Sequence, residues 1–446
     1  MLRTAGFKKY LHNTSWLFVE RVVRLVVVLA TSILVARYLG GSLFGQLNYA
    51  TGFVGIFFAL TTMGLDEIVV RDLVRHPERR DELLGTSAVI KFGGASLLVL
   101  LVVLSTFLKN MEGVTASLVI VIAVAELLRP FHVIDYYFMA QVKARSAVVV
   151  QMAQVFISAA AKLWLVFRAG SEDLREESLI LFAWIYVLET FTMSVGYAWM
   201  YKAGGAAVRA WRYSRKMALH LLDQSWPLVI YGMALYVQAK IDQVMIGDML
   251  TRTLGEKAAF DEVGQYSVAL KMIEAMGFLP VIVQKSLAPA ITRAKLESEA
   301  KYRDRLLNQY RLMFLMFLVT SVPLFFLAEP LIVLLYGPEF APAGYLLGLF
   351  AIRLFFTNMG VGKSSFITNE SLFRYSLFTA IVGAVVNITM NWLLIPELRS
   401  IGAIWATIGS FLISIFLLDL FFKDTRNNLR DMVMGILTFW RIGRAR

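Results

Sequence analysis

The sequence predicts an all-α integral membrane protein of twelve transmembrane helices, on three observations. Of its 446 residues 58% are hydrophobic and 17% charged, with a mean hydropathy of +0.65, whereas a soluble domain carries about 25% charged residues. Apolar stretches recur along the whole chain, each close to the roughly 20 residues that take a helix across a bilayer. None shows the ten-residue alternation of an outer-membrane barrel. Twelve spans leave no length for a sizeable aqueous catalytic domain, so a soluble enzyme is excluded. The chain has no cysteine, which removes disulfides, thiolate nucleophiles and cysteine-bound metal.

The stretches lie near 14–36, 45–70, 84–108, 115–138, 146–167, 178–200, 222–247, 263–291, 306–336, 342–366, 373–395 and 401–422. The first reads as a span rather than a cleaved signal peptide, because it carries Glu20, Arg21 and Arg24 and lacks a small-residue cleavage site. The second opens on Phe44-Gly45-Gln46 and the eighth on Val263-Gly264-Gln265, an internal echo at the positions that parallel six-helix repeats would make equivalent. Pro227, Pro280, Pro289, Pro323 and Pro330 fall in spans seven to nine. Each removes a backbone donor and lets its helix bend. Between spans six and seven runs a basic connection with Lys202, Arg209, Trp211, Arg212, Tyr213, Arg215 and Lys216, which reads as an interfacial amphipathic helix. It divides the chain into a lobe over 1–200, a linker over 201–221, and a second lobe over 222–446 that ends in a basic tail.

The net charge is +12, and its placement argues for loops rather than a nucleic-acid partner. One set of loops, tails and helix ends holds Arg3, Lys8 and Lys9; Arg71, Arg75, Arg79 and Arg80; Arg129, Lys143 and Arg145; the 201–221 bases; Lys285 through Arg311; Lys363 and Arg374; and Lys423 through Arg446. The alternate set holds only Arg37, Lys109, Arg168, Arg175, Arg252, Lys257 and Arg399. Lysine and arginine gather on the cytoplasmic side. The expectation is therefore a multi-pass inner (plasma) membrane protein with both termini cytoplasmic and the 168–178 and 248–262 loops external.

No catalytic motif emerges. Thr357 through Ser364 looks like a phosphate-binding loop but has Thr where the first glycine belongs and no strand before it. Lys363 there reads as an anchor at the end of a helix. His12, His76, His132 and His220 lack metal-binding or triad spacing, and Asp66-Glu67 reads as a solvated helix boundary. No metal and no cofactor is expected. Ionisable residues inside spans are more informative, since each costs about 2.5–3.5 kcal/mol to insert even on the lenient scale. Glu20 and Arg24 share a helix face, as do Lys271 and Glu274. Lys240 and Asp242 lie in span seven and Arg353 in span ten. Arg24, Lys240, Lys271 and Arg353 are the candidate cargo-binding bases of a hydrated cationic cavity suited to phosphate. Glu20, Asp242 and Glu274 are their candidate counter-charges, or carriers of a coupling proton. Simple helix-locking pairs are the competing account.

Four stretches resemble the Wzx-type polysaccharide flippases of the multidrug/oligosaccharidyl-lipid/polysaccharide (MOP) exporter superfamily. They are Arg37-Tyr38-Leu39-Gly40 with Phe44-Gly45; Ser225-Trp226-Pro227-Leu228 with Lys240 through Gly247; Val263 through Ser267 with Phe278-Leu279-Pro280 and Pro289; and Tyr336 through Phe340 with Gly402 through Thr407. The resemblance implies two six-helix lobes around a central cavity, and a polyprenyl-diphosphate-linked oligosaccharide, such as an O-antigen repeat unit, moved from the cytoplasmic to the outer leaflet by alternating access. It implies membrane lipids, a coupling H+ or Na+ and polysaccharide-assembly proteins as partners. The alternatives are a cation-coupled multidrug or metabolite exporter of the same superfamily, which would present acids to a cationic cargo, and an integral-membrane polymerase or transferase.

Overall fold

A computed structural model describes residues 5–168 and 175–443, and within them the backbone is helix and turn with no strand. Arg3, Arg444, Arg446 and the middle of the 168–178 loop lie outside the described residues, as do the side chains of Lys8, Lys9 and His12. The helices are α1 (Ala5–Gly55), α2 (Phe58–Thr62), α3 (Asp66–Arg75), α4 (Arg80–Leu108), α5 (Gly113–Ala125), α6 (Val133–Ala140), α7 (Ala144–Arg168) and α8 (Arg175–Ala203). They continue with α9 (Arg215–Leu254), α10 (Glu256–Met276), α11 (Phe278–Glu297), α12 (Glu299–Tyr336), α13 (Ala341–Asn369), α14 (Phe373–Phe411) and α15 (Lys423–Leu437).

Among the described residues, 9 helical stretches are long and apolar enough to cross a membrane. The first of them, within α1, is broken at Gly40 (φ 73°, ψ 175°) and the last, within α14, at Arg399 (φ 51°, ψ −133°). α9 is not among the 9; Gln238, Lys240, Asp242 and Gln243 dilute its apolar run. The expected twelve spans require each broken helix to count twice and α9 to cross as well. Large apolar side chains such as Phe107, Phe326 and Phe421 stand three-quarters exposed, a surface that water would penalise and acyl chains would cover.

The chain divides into two units, Met1–Lys240 and Ile241–Arg446, with the division inside α9. It thus falls later than the expected linker. Nor does 201–221 form one interfacial helix. Gly204-Gly205 ends α8, Gly205 taking φ 80°, and a single 3-10 turn, Val208–Ala210, precedes α9. This connection is tied to α4 instead: Arg212 N donates to Asp81 O at 3.1 Å and Ser214 N to Thr86 Oγ1 at 3.1 Å. The expected 248–262 loop is likewise almost wholly helical, since only Gly255 separates α9 from α10.

Each unit repeats one local device. Gly255 adopts φ 83°, ψ 163°, nearly the conformation of Gly40, in a region closed to residues with a Cβ. Past Gly40, Gln46 donates to Thr115 Oγ1 in the first turn of α5 at 2.8 Å. Past Gly255, Gln265 accepts from Ala343 N in the first turn of α13 at 3.2 Å and donates to Glu339 O at 3.2 Å. The Gly-Gln echo of the sequence therefore marks the same tie, from the second to the fourth span of each half.

Candidate functional site

The fourth span of the first unit is irregular where its polar residues fall. α5 gives way to a 3-10 segment, Glu126–His132, containing Pro130, before α6 resumes. In a 3-10 helix residues three apart eclipse, so Glu126, Arg129 and His132 share a face. The fully buried Glu126 ion-pairs with Arg129 Nε. Tyr186 of α8 donates to Glu126 Oε1 at 2.9 Å and accepts from Arg129 Nη2 at 3.1 Å. The Arg129 guanidinium also lies 5.0 Å over the Phe58 ring. Arg129 is thus an interior residue and not the loop base expected from its charge.

Beside this triad, Lys91 of α4 donates to Tyr136 Oη at 2.9 Å, and Tyr136 donates in turn to Asp66. Asp66 therefore does more than solvate a boundary. Asp135 lies in electrostatic range of Lys91, Asp66, Glu20 and Arg24, and Arg24 is paired with the buried Glu20 as their four-residue spacing predicts. On α7 and α8, Lys162 Nζ and Ser158 both donate to Glu189 Oε1, the lysine at 2.7 Å. Three of the acids named in the first unit, Glu20, Glu126 and Glu189, are thus each held by a base. Lys240, which falls in this unit, lays its stem against α1: a Cβ on Gly55 would stand 3.2 Å from Lys240 Cγ.

The second unit is organised otherwise. Asp242, buried on α9, takes hydrogen bonds from Tyr266 Oη at 2.5 Å, Thr407 Oγ1 at 2.6 Å and Asn391 Nδ2 at 2.6 Å. Three neutral donors occupy its oxygens where a basic partner was expected. Asn387 donates to Thr407 Oγ1 at 3.4 Å, and Gln243 Nε2 donates to Ser267 Oγ at 2.8 Å, closing a polar layer through α9, α10 and α14. Arg353 lies over Phe350 at 5.7 Å and Phe411 at 5.4 Å, in electrostatic range of Tyr266. An arginine on aromatic faces keeps its donors for a ligand better than one in a fork with a carboxylate. Lys271 is half-buried with contacts of its own, and Glu274 is exposed.

The lysine of the Thr357–Ser364 stretch is not a helix-end anchor. That stretch is helical within α13, and Lys363 points inward to Asp419 Oδ1 at 2.6 Å and Ile415 O at 2.8 Å, while Tyr375 also donates to Asp419. The backbone around Ile415 has left the α register, running as a π-turn, Leu412–Phe416, into a 3-10 turn, Leu417–Leu420. That irregularity frees the carbonyl that Lys363 binds.

Of the candidate residues, the structure brings Glu20 to Arg24, and Arg353 near the Tyr266–Asp242 layer. Lys91, Glu126, Arg129, Asp135 and Lys363 were not selected. Lys91 was visible as a base inside a span, and the three-residue spacing of Glu126, Arg129 and His132 was a signal that an α-helical reading discards.

The sequence model of the family described as "Polysaccharide biosynthesis protein" matches residues 10–295, more than half of the chain. No curated protein matches. Among solved structures, the chain is similar to an inward-facing multidrug resistance MATE family transporter of the MOP superfamily at a TM-score of 0.66, with 13% identity, covering 95% of this chain and 99% of that one. It is similar to the lipid II flippase MurJ, inward closed, at 0.65, with 14% identity and coverage of 95% and 90%. A third similarity is to a MOP superfamily transporter from Pyrococcus furiosus, at 0.56, with 14% identity and coverage of 97% and 98%. These agree with the resemblance carried by the four motif stretches. The chain belongs to the polysaccharide biosynthesis protein family and has the helical membrane fold of the MOP superfamily.

Proposed function

We propose that this protein is a Wzx-type flippase that carries a polyprenyl-diphosphate-linked oligosaccharide from the cytoplasmic to the outer leaflet of the inner membrane by alternating access. The single observation that carries this reading is the family match over residues 10–295. The lipid II flippase among the structures of like fold supports it. So does the chemistry of the interior: Arg353 rests on aromatic rings and Lys240 is half-buried with its stem along α1, and such bases suit a diphosphate. Twelve spans in two six-helix lobes, with cytoplasmic termini, complete the proposal. Its supports are the paired Gly-Gln ties and the one-sided placement of loop bases.

Coupling is assigned to Asp242. Among the described residues its oxygens are held by neutral donors only, and an arriving H+ or Na+ would exchange for those donors. Arg353 and Lys240 then draw in the cargo phosphates, and Arg24 is released to do so when Glu20 is neutralised.

Reconstitution in liposomes with a labelled polyprenyl-diphosphate oligosaccharide tests the reading. The label is expected in the opposite leaflet, faster under an imposed H+ or Na+ gradient. Transport of a lipophilic cation with no movement of the labelled lipid would overturn it in favour of a multidrug exporter.

A further inference from the structure

A second cationic feature lies away from the interior groups, at the basic end of the first unit. There a pocket of about 430 Å³ is lined by Arg71, Arg75 and Arg79, by His76 and His220, and by Gln224. Its floor includes Leu83 and Met217, both part of the buried hydrophobic cluster of this unit, so the walls stand on a packed base. Asp72 is the one carboxylate in the lining.

The pocket is built by helix periodicity. Arg71 and Arg75 are four apart on α3, and His220 and Gln224 are four apart on α9, so each helix offers one face to it. Arg79 closes it from the 3-10 turn Pro77–Arg79. A hydrogen-bonded chain joins the two faces: Arg71 Nη2 donates to Gln224 Oε1 at 2.5 Å, and Gln224 Nε2 meets His220 Nε2 at 2.8 Å. Arg71 and Arg79 have counter-charges in Asp72 and Glu82. Among the described residues, Arg75 has neither an ion pair nor a hydrogen bond. Like charges placed four apart on one helix repel, and a shared anion removes that repulsion. The sequence neighbours Val74 and Leu219 are exposed by 61% and 60%, apolar surface suited to the acyl or prenyl part of a lipid.

We propose that this pocket binds the phosphate of a membrane lipid, either the diphosphate of the cargo before it enters the interior or the headgroup of an anionic phospholipid. Three guanidinium groups match the several oxygens of such an ester, and Gln224 fixes the orientation of Arg71. Only the choice of a diphosphate rests on the proposed cargo.

The test is equilibrium binding of tritiated polyprenyl diphosphate to the full-length protein in neutral detergent, with phosphatidylglycerol as competitor and polyprenol as the uncharged control. Arg75→Gln should weaken binding about tenfold, the value of one charge-assisted contact, and Arg75→Lys should retain it. The triple variant R71Q/R75Q/R79Q should remove this pocket's share of the binding, leaving only what the interior bases Lys240 and Arg353 hold, while polyprenol binding is unchanged. Competition by phosphatidylglycerol identifies the bilayer headgroup as occupant, and failure to compete identifies the diphosphate. Wild-type protein that takes up phosphatidylglycerol here but no polyprenyl diphosphate would overturn the cargo reading and leave the site standing. Unchanged affinity of both R75Q and the triple variant for either phosphate lipid would overturn the site.

Discussion

In the first unit the buried carboxylate of Glu126 is met by the guanidinium of Arg129, whereas in the second the buried carboxylate of Asp242 is met by a tyrosine, an asparagine and a threonine. Both arrangements satisfy an acid inside a membrane protein, yet they leave different charges behind. A carboxylate and a guanidinium sum to zero, and separating them exposes two charges in a medium that penalises each. A carboxylate held by neutral donors has no counter-charge bound to it, and its donors are individually exchangeable. The first is suited to fix a helix and the second to receive a cation. The Lys363–Asp419 pair shows that the second unit also uses the fixed kind, placed where α14 ends in irregular turns.

The largest expected effect separates fixed pairs from exchangeable ones. Lys363→Met leaves Asp419 buried without its base, and a broken buried pair costs about 3–5 kcal/mol. Glu126→Ala should cost as much by stranding Arg129. Thermal unfolding in detergent reads both, and the combined variant K363M/D419L should recover most of the loss. A Lys363→Met protein as stable as wild type would break the distinction.

Cargo transport sharpens it next. Lys240→Gln or Arg353→Gln should lower apparent cargo affinity by about 10- to 150-fold, the equivalent of roughly 1.5–3 kcal/mol for one direct charge-assisted contact to phosphate, with expression unchanged. Asp242→Asn should remove dependence on the ion gradient and leave the fold intact, because the amide oxygen still accepts from Tyr266 and Thr407 and Asn391 can turn its unpartnered Oδ1 to the new NH2. If all of these variants flip lipid at the wild-type rate with unchanged affinity, the interior charges serve packing alone.

Smaller effects test the symmetry of the two units. Gly40→Ala and Gly255→Ala each force a Cβ into a conformation reserved for glycine, at about 1–3 kcal/mol, and the two losses should be equal within error. Gln46→Ala should cost about 0.5–1.5 kcal/mol for one hydrogen bond. Gln265→Ala should cost more, since Gln265 makes two. Equal losses at the two glutamines would show that one of its bonds contributes nothing.

The Glu20–Arg24 pair was legible because i,i+4 spacing on a helix is local, and Asp242 because a charged residue deep in a span, beside Lys240, demands an explanation. Its partners were not legible. Asn391 and Thr407 stand 149 and 165 residues away, and span sequences carry no signal of which polar faces meet. Arg129 was misplaced for a related reason: the rule that bases gather in cytoplasmic loops has no means of recognising a base neutralised within its own turn. Lys363 failed in the same way, its acid lying 56 residues on.

Composition by itself determined that this chain is helical and lies in a membrane, since no water-soluble fold tolerates so much apolar surface and the bilayer admits only structures that satisfy their own backbone. The Gly-Gln echo marked one tie that both halves repeat. Beyond the local Glu20–Arg24 pair, tertiary structure decided which buried charges are spent on one another and which remain available. Arg71, Arg75 and Arg79 are spaced as many surface arginines are, and only the packing of α3 and its following turn beside α9 turns them into walls of one pocket. Charge neutralisation in a low-dielectric interior depends on separations of a few ångströms, and those are set by how helices pack.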